Sequence, residues 1–320
     1  MLARGQSGPC IGRALRAALR LDGGCCSIKL PLTRTLTGSL SKPDLAFLNP
    51  HGVQMRTCLF CDNVANTKED MWPLWLIRSM GEDKSSPTQY WRGKSSPPIT
   101  WAGPQFKMKN VCEDCNGGWM SRLENAVRRP MGCLINDLSI PLSRDDQYAL
   151  ARWCCKTAMV MEGAKQDKNK FYGDVDRKNL RTMKAMPPDT WVWLGRCAQS
   201  YLLHAEARML HVRRQMPNIQ VRDGCATTFV IKNLILQMLS VHRAAGAEKG
   251  NLRIEIQGGD WHRSLIQVWP HLDGSTTWPP PQPFAEHDES LRKLIRRFVV
   301  GVQFVKEGRG ITLADTRDRP

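Results

Sequence analysis

The chain lacks the sequence features of several common protein classes. No stretch reaches the roughly 18 consecutive apolar residues that a membrane-spanning helix requires, and no apolar signal segment with a cleavage site opens the chain. A Gly-rich phosphate loop, a serine nucleophile elbow and an HExxH metal motif are also missing. The sequence therefore predicts no membrane segment and none of the enzyme classes that these three motifs mark.

Acidic residues are too few to balance the basic ones. The 320 residues include 30 Asp and Glu against 46 Lys and Arg, which gives a formal net charge of +16. A basic surface attracts polyanions through counterion release, so nucleic acid is the first partner to expect. The alternative is a basic surface without a specific partner. Because the excess is spread along the chain, charge alone does not locate a binding site.

The 12 cysteines do not form the regular framework of a disulfide-rich secreted protein. Adjacent pairs such as Cys25-Cys26 and Cys154-Cys155 suit reduced thiols, and the chain is long for a disulfide scaffold. We therefore expect a cytoplasmic location. Eight cysteines lie outside the two motifs described below, and we expect them to be buried as small hydrophobic residues.

Composition divides the chain into three parts of an α+β protein. Residues 1–54 are basic and are expected to form a flexible extension, with a transit peptide or an upstream start before Met55 as alternatives. Residues 55–135 carry two cysteine motifs, separated by a stretch rich in Ser, Pro and Gly (81–105) that predicts a long loop. Residues 136–320 predict a mixed α+β domain of unknown role.

Apolar residues at helical spacing predict two helices near the middle of the chain. One helix is predicted over 116–129, where Ser121 and Glu124 have the spacing of a capping box. A second helix is predicted after Ser143, because Asp146 follows three residues later and an apolar stripe comes next.

The last third of the chain mixes strand and helix patterns. Residues 252–256 and 265–269 are short β-type runs, and helical spacing recurs over 289–299. Residues 227–241 are apolar enough for a buried helix or a buried strand, and their periodicity favours neither.

Two Cys-x-x-Cys motifs stand 50 residues apart in the second part. Cys58 and Cys61 form the first, and Cys112 and Cys115 form the second. Each motif turns the backbone tightly enough to present both sulfurs to one ion, and four thiolates match a closed tetrahedral zinc site. We predict a structural zinc without an open position for substrate. The alternative is two unrelated cysteine pairs.

Acidic and aromatic residues accompany these motifs. Glu69 and Asp70 stand in "KEDMWPLWL", and Asn116 follows the last cysteine in "VCEDCNGGWMSRLE". The combination resembles the HNH endonuclease family, in a branch with an acidic-His pair, an aromatic-Pro-x-Trp-Leu stretch and a C-x-x-C-N-x-G-W-M helix start. The resemblance covers about residues 55–130. It implies a zinc-braced ββα-metal module, followed by the mixed α+β domain.

The resemblance also implies roles for three residues. Glu69 matches the acidic ligand of a catalytic divalent metal such as Mg²⁺ or Mn²⁺, and Asn116 matches the family's final metal ligand. Asp70 stands where the family has its general-base histidine, and no histidine occurs between His51 and His204. An Asp carboxylate with an ordinary pKa of about 3.9 is a poorer base at neutral pH than His, at about 6.5. The implied reaction is metal-dependent hydrolysis of DNA phosphodiester bonds.

Two functions of other classes stay open. The module is either an inactive zinc-braced domain that binds nucleic acid or a zinc-stabilised protein–protein adaptor that uses the Trp- and Pro-rich segment 268–284. Single residues also have plainer alternatives: Glu69 and Asp70 as solvated turn residues, and Asn116 as a helix N-cap. The tryptophans at positions 72, 75 and 119 are expected in the core rather than as base-stacking platforms. The sequence does not indicate an oligomeric state.

Overall fold

A two-stranded sheet followed by a long helical segment organises the part of the chain that carries the cysteine motifs. Strands β1 and β4 pair antiparallel, and the helical segment follows β4 directly. In the computed structural model the elements are β1 (Thr67–Asp70), α1 (Leu74–Met80), β2 (Thr88–Trp91), β3 (Ile99–Trp101), β4 (Lys107–Val111), a π-helical segment (Asp114–Met120), α2 (Ser121–Ile135) and β5 (Ile140–Leu142).

Two helices and ten strands follow α2 and β5, with one further short helix. They are α3 (Arg144–Gly163), α4 (Asp174–Thr182), β6 (Thr190–Ala198), β7 (Leu203–Val212), β8 (Val221–Ile231), β9 (Leu234–Arg243), β10 (Leu252–Ile256), α5 (Trp261–Ser264), β11 (Leu265–Trp269), β12 (Thr276–Trp278), β13 (Phe284–Ala285), β14 (Val300–Phe304) and β15 (Gly310–Asp315). The described residues are 56–80, 88–91, 99–101, 107–164, 170–198, 203–212, 221–245, 252–256, 261–271, 274–285, 300–304 and 310–315. The predicted extension (1–54) and the predicted helix (289–299) lie outside them.

Helix α3 is the central helix of the fold. Its N-cap is Ser143, whose hydroxyl accepts the Asp146 N–H at 3.1 Å while the Asp146 carboxylate accepts the Ser143 N–H at 3.0 Å. The helix start predicted after Ser143 is confirmed, and the reciprocal bond from the Ser143 N–H completes a capping box. Most residues after the first turn are buried on every side of the helix, as in a helix enclosed by other elements. Helix α3 contacts α2 and β4 as well as β9 and β11 of the large sheet.

Eleven of the described strands form one sheet, mostly antiparallel. Its main path runs β10-β14-β15-β7-β8-β9-β6-β11, and β2 and β13 add to edges of β7 and β6 in parallel. Alternate residues of a strand face opposite sides, so this sheet buries two separate sets of side chains. Leu234, Leu236 and Met238 of β9 join the core around α3, whereas Ile235 and Leu239 join a second core on the other face. Residues of β10 and β11, from the two ends of the path, share that second core, so the sheet curls around it.

One hydrophobic core connects the cysteine-bearing part with the sheet. Trp72, which follows β1, packs edge-to-face on Phe229 of β8 with ring centroids 5.6 Å apart, and Trp153 of α3 packs on the same ring at 6.2 Å. Residues Phe47–Pro320 accordingly group into one compact unit. The expected boundary between 55–135 and 136–320 does not coincide with a gap in this core, and the division into these two parts stays a prediction.

The predicted α+β class is confirmed, and several local expectations need correction. Residues 227–241 are strand, because alternate side chains enter the two cores, and the hairpin turn at Lys232 adopts a left-handed φ of 49°. The predicted loop over 81–105 contains β2 and β3 in its described residues. The strands predicted at 252–256 and 265–269 are both present. No helix in the described ranges is long and apolar enough to cross a membrane.

The helix predicted over 116–129 begins earlier and ends later than expected. Helical structure runs from Asp114 to Ile135, with a kink at Gly118. Ser121 is therefore in the interior of the helical segment, where a capping box cannot form, and no side-chain cap is present at either start. The sequence expectation was wrong here because the helical hydrogen bonds already begin within the second cysteine motif. The N–H of Asn116, for example, bonds to the carbonyl of Cys112 at 3.0 Å.

Candidate zinc site and adjacent ion cluster

Each cysteine motif lies on a tight turn next to the two-stranded sheet. Before β1, the N–H of Cys58 bonds to the Asn63 carbonyl at 2.7 Å and closes the first turn. The N–H of Leu59 bonds to the Asn110 carbonyl of β4 at 2.8 Å, which fixes this turn beside the start of the second motif. The second motif follows β4 without a break and leads into the π-helical segment. The β1–β4 pairing thus brings together cysteines that are about 50 residues apart.

The four cysteine sulfurs form one close cluster. All four lie within 4.8 Å of one another, and Cys61 Sγ is 3.5 Å from Cys112 Sγ and 3.7 Å from Cys115 Sγ. A tetrahedral ion with Zn–S bonds of about 2.3 Å places its sulfurs about 3.8 Å apart. The cysteines are free thiols, and Cys61 is half-buried while the other three are buried. This donor set fits zinc and could hold a structural zinc ion.

Hydrogen bonds and burial set the charges of this cluster. The Phe60 N–H points to Cys58 Sγ at 3.5 Å. A hydrogen bond from Cys115 and the Phe60 N–H lower the pKa of Cys58 to about 4, against the effect of burial. Burial raises the pKa of Cys61 to about 11, and the bond with Cys58 raises the pKa of Cys115 above its usual range. Four adjacent thiols cannot all ionise without a cation, so zinc binding would release protons from this cluster.

Glu69 belongs to a second, different ion cluster. Its side chain is 5% exposed, and its Oε1 lies 2.9 Å from Nζ of Lys156, a side chain of α3 with no exposed area. The same Nζ lies 3.0 Å from Oε1 of Glu124 on α2, whose side chain is 23% exposed. One ammonium therefore joins β1, α2 and α3. We refer to Glu69, Glu124 and Lys156 as the lysine cluster.

The charges of the lysine cluster support a protonated Lys156. Burial alone would lower the pKa of Lys156, but attraction to Glu69 and Glu124 outweighs it and raises that pKa. Burial raises the pKa of Glu69, and Lys156 offsets part of this rise. The ammonium is shared between two carboxylates, which explains why Glu69 alone is not fully compensated. A divalent metal at Glu69 would lie close to this buried ammonium, and repulsion between the two cations disfavours metal binding there.

Asp70 and Glu69 point in different directions although they are neighbours. Adjacent strand residues alternate between the two faces of a sheet. Asp70 Oδ1 lies 3.4 Å from Lys107 Nζ, its cross-strand partner on β4, with a side chain that is 22% exposed. That oxygen is buried and makes no hydrogen bond of acceptable geometry within the described ranges. The structure thus separates the two carboxylates, one toward α3 and the other toward β4.

Asn116 connects the start of the helical segment to β1. Its Nδ2 donates to Thr67 Oγ1 at 3.4 Å and to the Lys68 carbonyl at 3.3 Å. Asn116 lies inside the π-helical segment, so it is not an N-cap. Asn116 and the two acidic residues therefore meet along one strand, β1. They do not form one shared donor set with the cysteines.

The aromatic residues near the motifs are mostly core residues, as expected. Trp72 and Trp119 are buried, and Trp75 is partly buried with the Arg128 guanidinium 5.7 Å from its ring centroid. Apolar residues of the segment 268–284 are also buried in the two cores, namely Val268, Trp278 and Phe284. These three side chains are therefore not exposed to a partner protein.

Sequence reasoning missed Lys156 and assigned Glu124 to a capping box. Lys156 is 87 residues from Glu69, so no local spacing connects the two. One signal was present: Lys156 is the only charged residue in the run from Trp153 to Met161, which is otherwise apolar except for Thr157. A single lysine within such a helix indicates a buried partner of opposite charge, because an unpaired buried ammonium is costly.

Comparison with known proteins gives no family for this chain. No protein-family model matches it, and neither a curated protein nor a solved structure is detectably similar to it. The HNH resemblance therefore rests on the motifs of residues 55–130 alone.

Proposed function

We propose that this protein binds nucleic acid and that a structural zinc ion stabilises its fold. We further propose that Lys156, by pairing with Glu69, keeps a catalytic metal from the acidic position of the HNH-like motif. Three features support the proposal. The chain carries a net charge of +16, and the four clustered cysteines fit zinc. The antiparallel pair of β1 and β4, with a helical segment after β4 and the cysteine motifs before β1 and after β4, is compatible with the ββα-metal module that the HNH resemblance implies.

The contact between Lys156 and Glu69 carries the choice between binding and hydrolysis. Lys156 Nζ is 2.9 Å from Glu69 Oε1 and has no exposed area. An ammonium already pairs with the carboxylate that would hold the catalytic metal. Separating a buried ion pair leaves an uncompensated charge, so moving Lys156 away from Glu69 would cost free energy. Binding through basic side chains needs no metal at this position.

A metal-dependent DNA endonuclease is the second candidate. One observation favours it: Asp70 Oδ1 is buried and lacks a hydrogen bond within the described part of the chain. In this candidate, Asp70, Glu69 and Asn116 act together with Mg²⁺ or Mn²⁺ on a phosphodiester bond. It requires Lys156 to leave Glu69 when the metal binds. Either candidate functions in a reducing compartment such as the cytoplasm, where free thiols persist.

One pair of assays on the zinc-loaded full chain tests the proposal. The first measures fluorescence anisotropy of labelled duplex DNA and of labelled RNA over a salt series. The second follows nicking of supercoiled plasmid with Mg²⁺ or Mn²⁺, with Asn116→Ala as the control for contaminating nuclease. We expect binding that weakens steeply with salt and no nicking above the control. Nicking that disappears in Asn116→Ala would favour the second candidate, and a lack of binding at low salt would refute the first.

A further inference from the structure

A groove beside the zinc site is lined by guanidinium groups that have no acidic partner among the residues that the structure describes. Asp114, Trp119 and Arg122 form one wall, and Arg181 and Thr182 at the end of α4 form the other. Its volume is about 260 Å³. Pockets that enclose a whole small molecule usually measure about 300–1,000 Å³, so this open groove suits one group of a longer ligand better.

Two arginines on opposite walls are available to a ligand. Arg122 is exposed and Arg181 is half-buried. Neither makes a hydrogen bond or an ion pair with any residue that the structure describes. Asp114 is the only carboxylate of the lining, and its Oδ2 already accepts a hydrogen bond from Asn63 Nδ2 at 3.0 Å. The Thr182 hydroxyl donates to the Lys178 carbonyl at 2.8 Å. The groove therefore has a surplus of donors.

A third guanidinium contacts one lining residue of the groove, Trp119, and the residue before another, Arg181. Arg152 of α3 is 8% exposed, and its guanidinium carbon is 5.4 Å from the ring centroid of Trp119. Its NH2 group donates to the Leu180 carbonyl at 2.7 Å, one residue before Arg181. Its Nε–H has no acceptor, and no carboxylate pairs with it among the described residues. A buried cation without a counter-charge is costly, so an anion in the groove would lower that cost.

We infer that this groove binds a phosphate group of a nucleic-acid backbone, held by Arg122 and Arg181 and supported by the charge of Arg152. The inference rests on the proposed function and identifies where the protein would contact the nucleic-acid backbone. A phosphodiester supplies acceptor oxygens and negative charge and no donor, which complements this donor surplus. DNA and RNA both carry the group, and the backbone contact does not distinguish them.

The zinc cluster is the other candidate counter-charge. Four thiolates around Zn²⁺ leave a net charge of about −2, and Asp114 lies between the two cysteines of the second motif. If the arginines only neutralised this cluster, their removal would weaken zinc binding. The two roles therefore differ in a measurement that involves no nucleic acid.

Two double variants of the zinc-loaded full chain test the site. Arg122→Gln with Arg181→Gln removes the two groove charges. Arg129→Gln with Lys184→Gln is the matched control, because it removes two exposed charges from α2 and from just after α4, outside the groove lining. Each variant is measured for zinc content, for anisotropy with labelled DNA and RNA over a salt series, and for thermal stabilisation by inorganic phosphate.

We expect the groove variant to retain zinc and to lose about tenfold or more in affinity for both nucleic acids, with a salt slope lower by about one for each lost contact. The control should lose clearly less. Equal losses in the two variants would overturn the site but not the proposed function, and loss of zinc in the groove variant would assign the arginines to the zinc cluster. If the parent binds neither nucleic acid, the proposed function fails. Thermal stabilisation by inorganic phosphate then tests the phosphate site by itself. Phosphate stabilisation of parent and control, but not of the groove variant, supports it, and a parent that phosphate does not stabilise overturns it.

Discussion

The zinc cluster and the lysine cluster both lie beside the small β1–β4 sheet, but they differ in how their negative charge is balanced. The zinc cluster brings four thiols within 4.8 Å of one another, a donor set that suits a bound cation. The lysine cluster brings two carboxylates to one ammonium, which the chain itself supplies at 2.9 and 3.0 Å. The first cluster could hold an ion from solution, whereas the second contains its own cation once α3 packs. From this comparison we expect that metal dependence, if the protein has it, arises from the cysteines rather than from Glu69.

The largest effect is expected from removing one zinc ligand. Cys112→Ser should abolish zinc binding and unfold the surrounding structure, because metal binding is folding free energy in such sites. Since Cys112 belongs to the same core as Trp153 and Phe229, we expect the loss to reach the sheet. Metal analysis and thermal unfolding followed by circular dichroism measure it. Cys133→Ser, a half-buried thiol outside the cluster, is the control and should retain zinc. A folded, zinc-free Cys112→Ser protein would contradict this expectation.

The next effect concerns the cation of the lysine cluster. Lys156→Met should lower the free energy of unfolding by about 3–5 kcal/mol, because it leaves the buried carboxylate of Glu69 without a counter-charge. Lys178→Met breaks an exposed ion pair with Asp62 and should cost less than about 1 kcal/mol. Urea denaturation of both variants measures the difference. Similar losses in the two would show that Lys156 is not a buried partner.

The pH dependence of Lys156→Met sharpens the same point. The pKa of Glu69 is already raised by burial, and loss of Lys156 removes the attraction that offsets this rise. A carboxyl with a raised pKa binds a proton more tightly in the folded state, so stability increases as pH falls through the folded pKa toward the unfolded value. The deficit of Lys156→Met should therefore shrink in mildly acidic buffer. A deficit that is constant or grows as the pH falls would contradict a buried carboxylate at Glu69.

A smaller effect on stability should distinguish Ser143 from Ser121, two serines at which the sequence predicts a helix start. Ser143→Ala should lower the free energy of unfolding by about 1 kcal/mol, because the hydroxyl caps α3 by accepting the Asp146 N–H. Ser121→Ala should change it little, because Ser121 is interior to a helical segment. Thermal unfolding of the two variants is the measurement. An equal loss of stability in Ser121→Ala would indicate that Ser121 does cap a helix, as the sequence predicted.

The smallest expected effect is at Asp70. Asp70→His introduces the residue that the HNH family uses as its general base, a group that is typically worth about 10²–10⁴-fold in rate. We expect no gain in plasmid nicking, because Glu69 stays paired with Lys156 and does not hold a metal. A clear gain with Mg²⁺ or Mn²⁺ would revive the nuclease candidate.

Local spacing made part of this structure predictable. The cysteine motifs, the helix start at Ser143 and the two short strands at 252–256 and 265–269 each depend on neighbours within a few residues, and the structure contains all of them. The strand identity of 227–241 was not predictable, because residues buried on both faces of a sheet lose the alternation of polar and apolar side chains. Lys156 was not predictable as a partner of Glu69 either, since packing of α3 against β1 joins residues that are far apart in sequence. The same long-range packing joins Arg122 with Arg181 in the groove.

The most direct measurement is the binding of Mn²⁺ to the zinc-loaded parent, followed by the loss of the free Mn²⁺ signal in electron paramagnetic resonance. Glu69→Gln and Asn116→Ala serve as comparisons. Because Lys156 occupies Glu69, we predict that the parent binds no more Mn²⁺ than either variant does. One Mn²⁺ per parent chain that both variants lose would contradict the proposal and place a catalytic metal at Glu69.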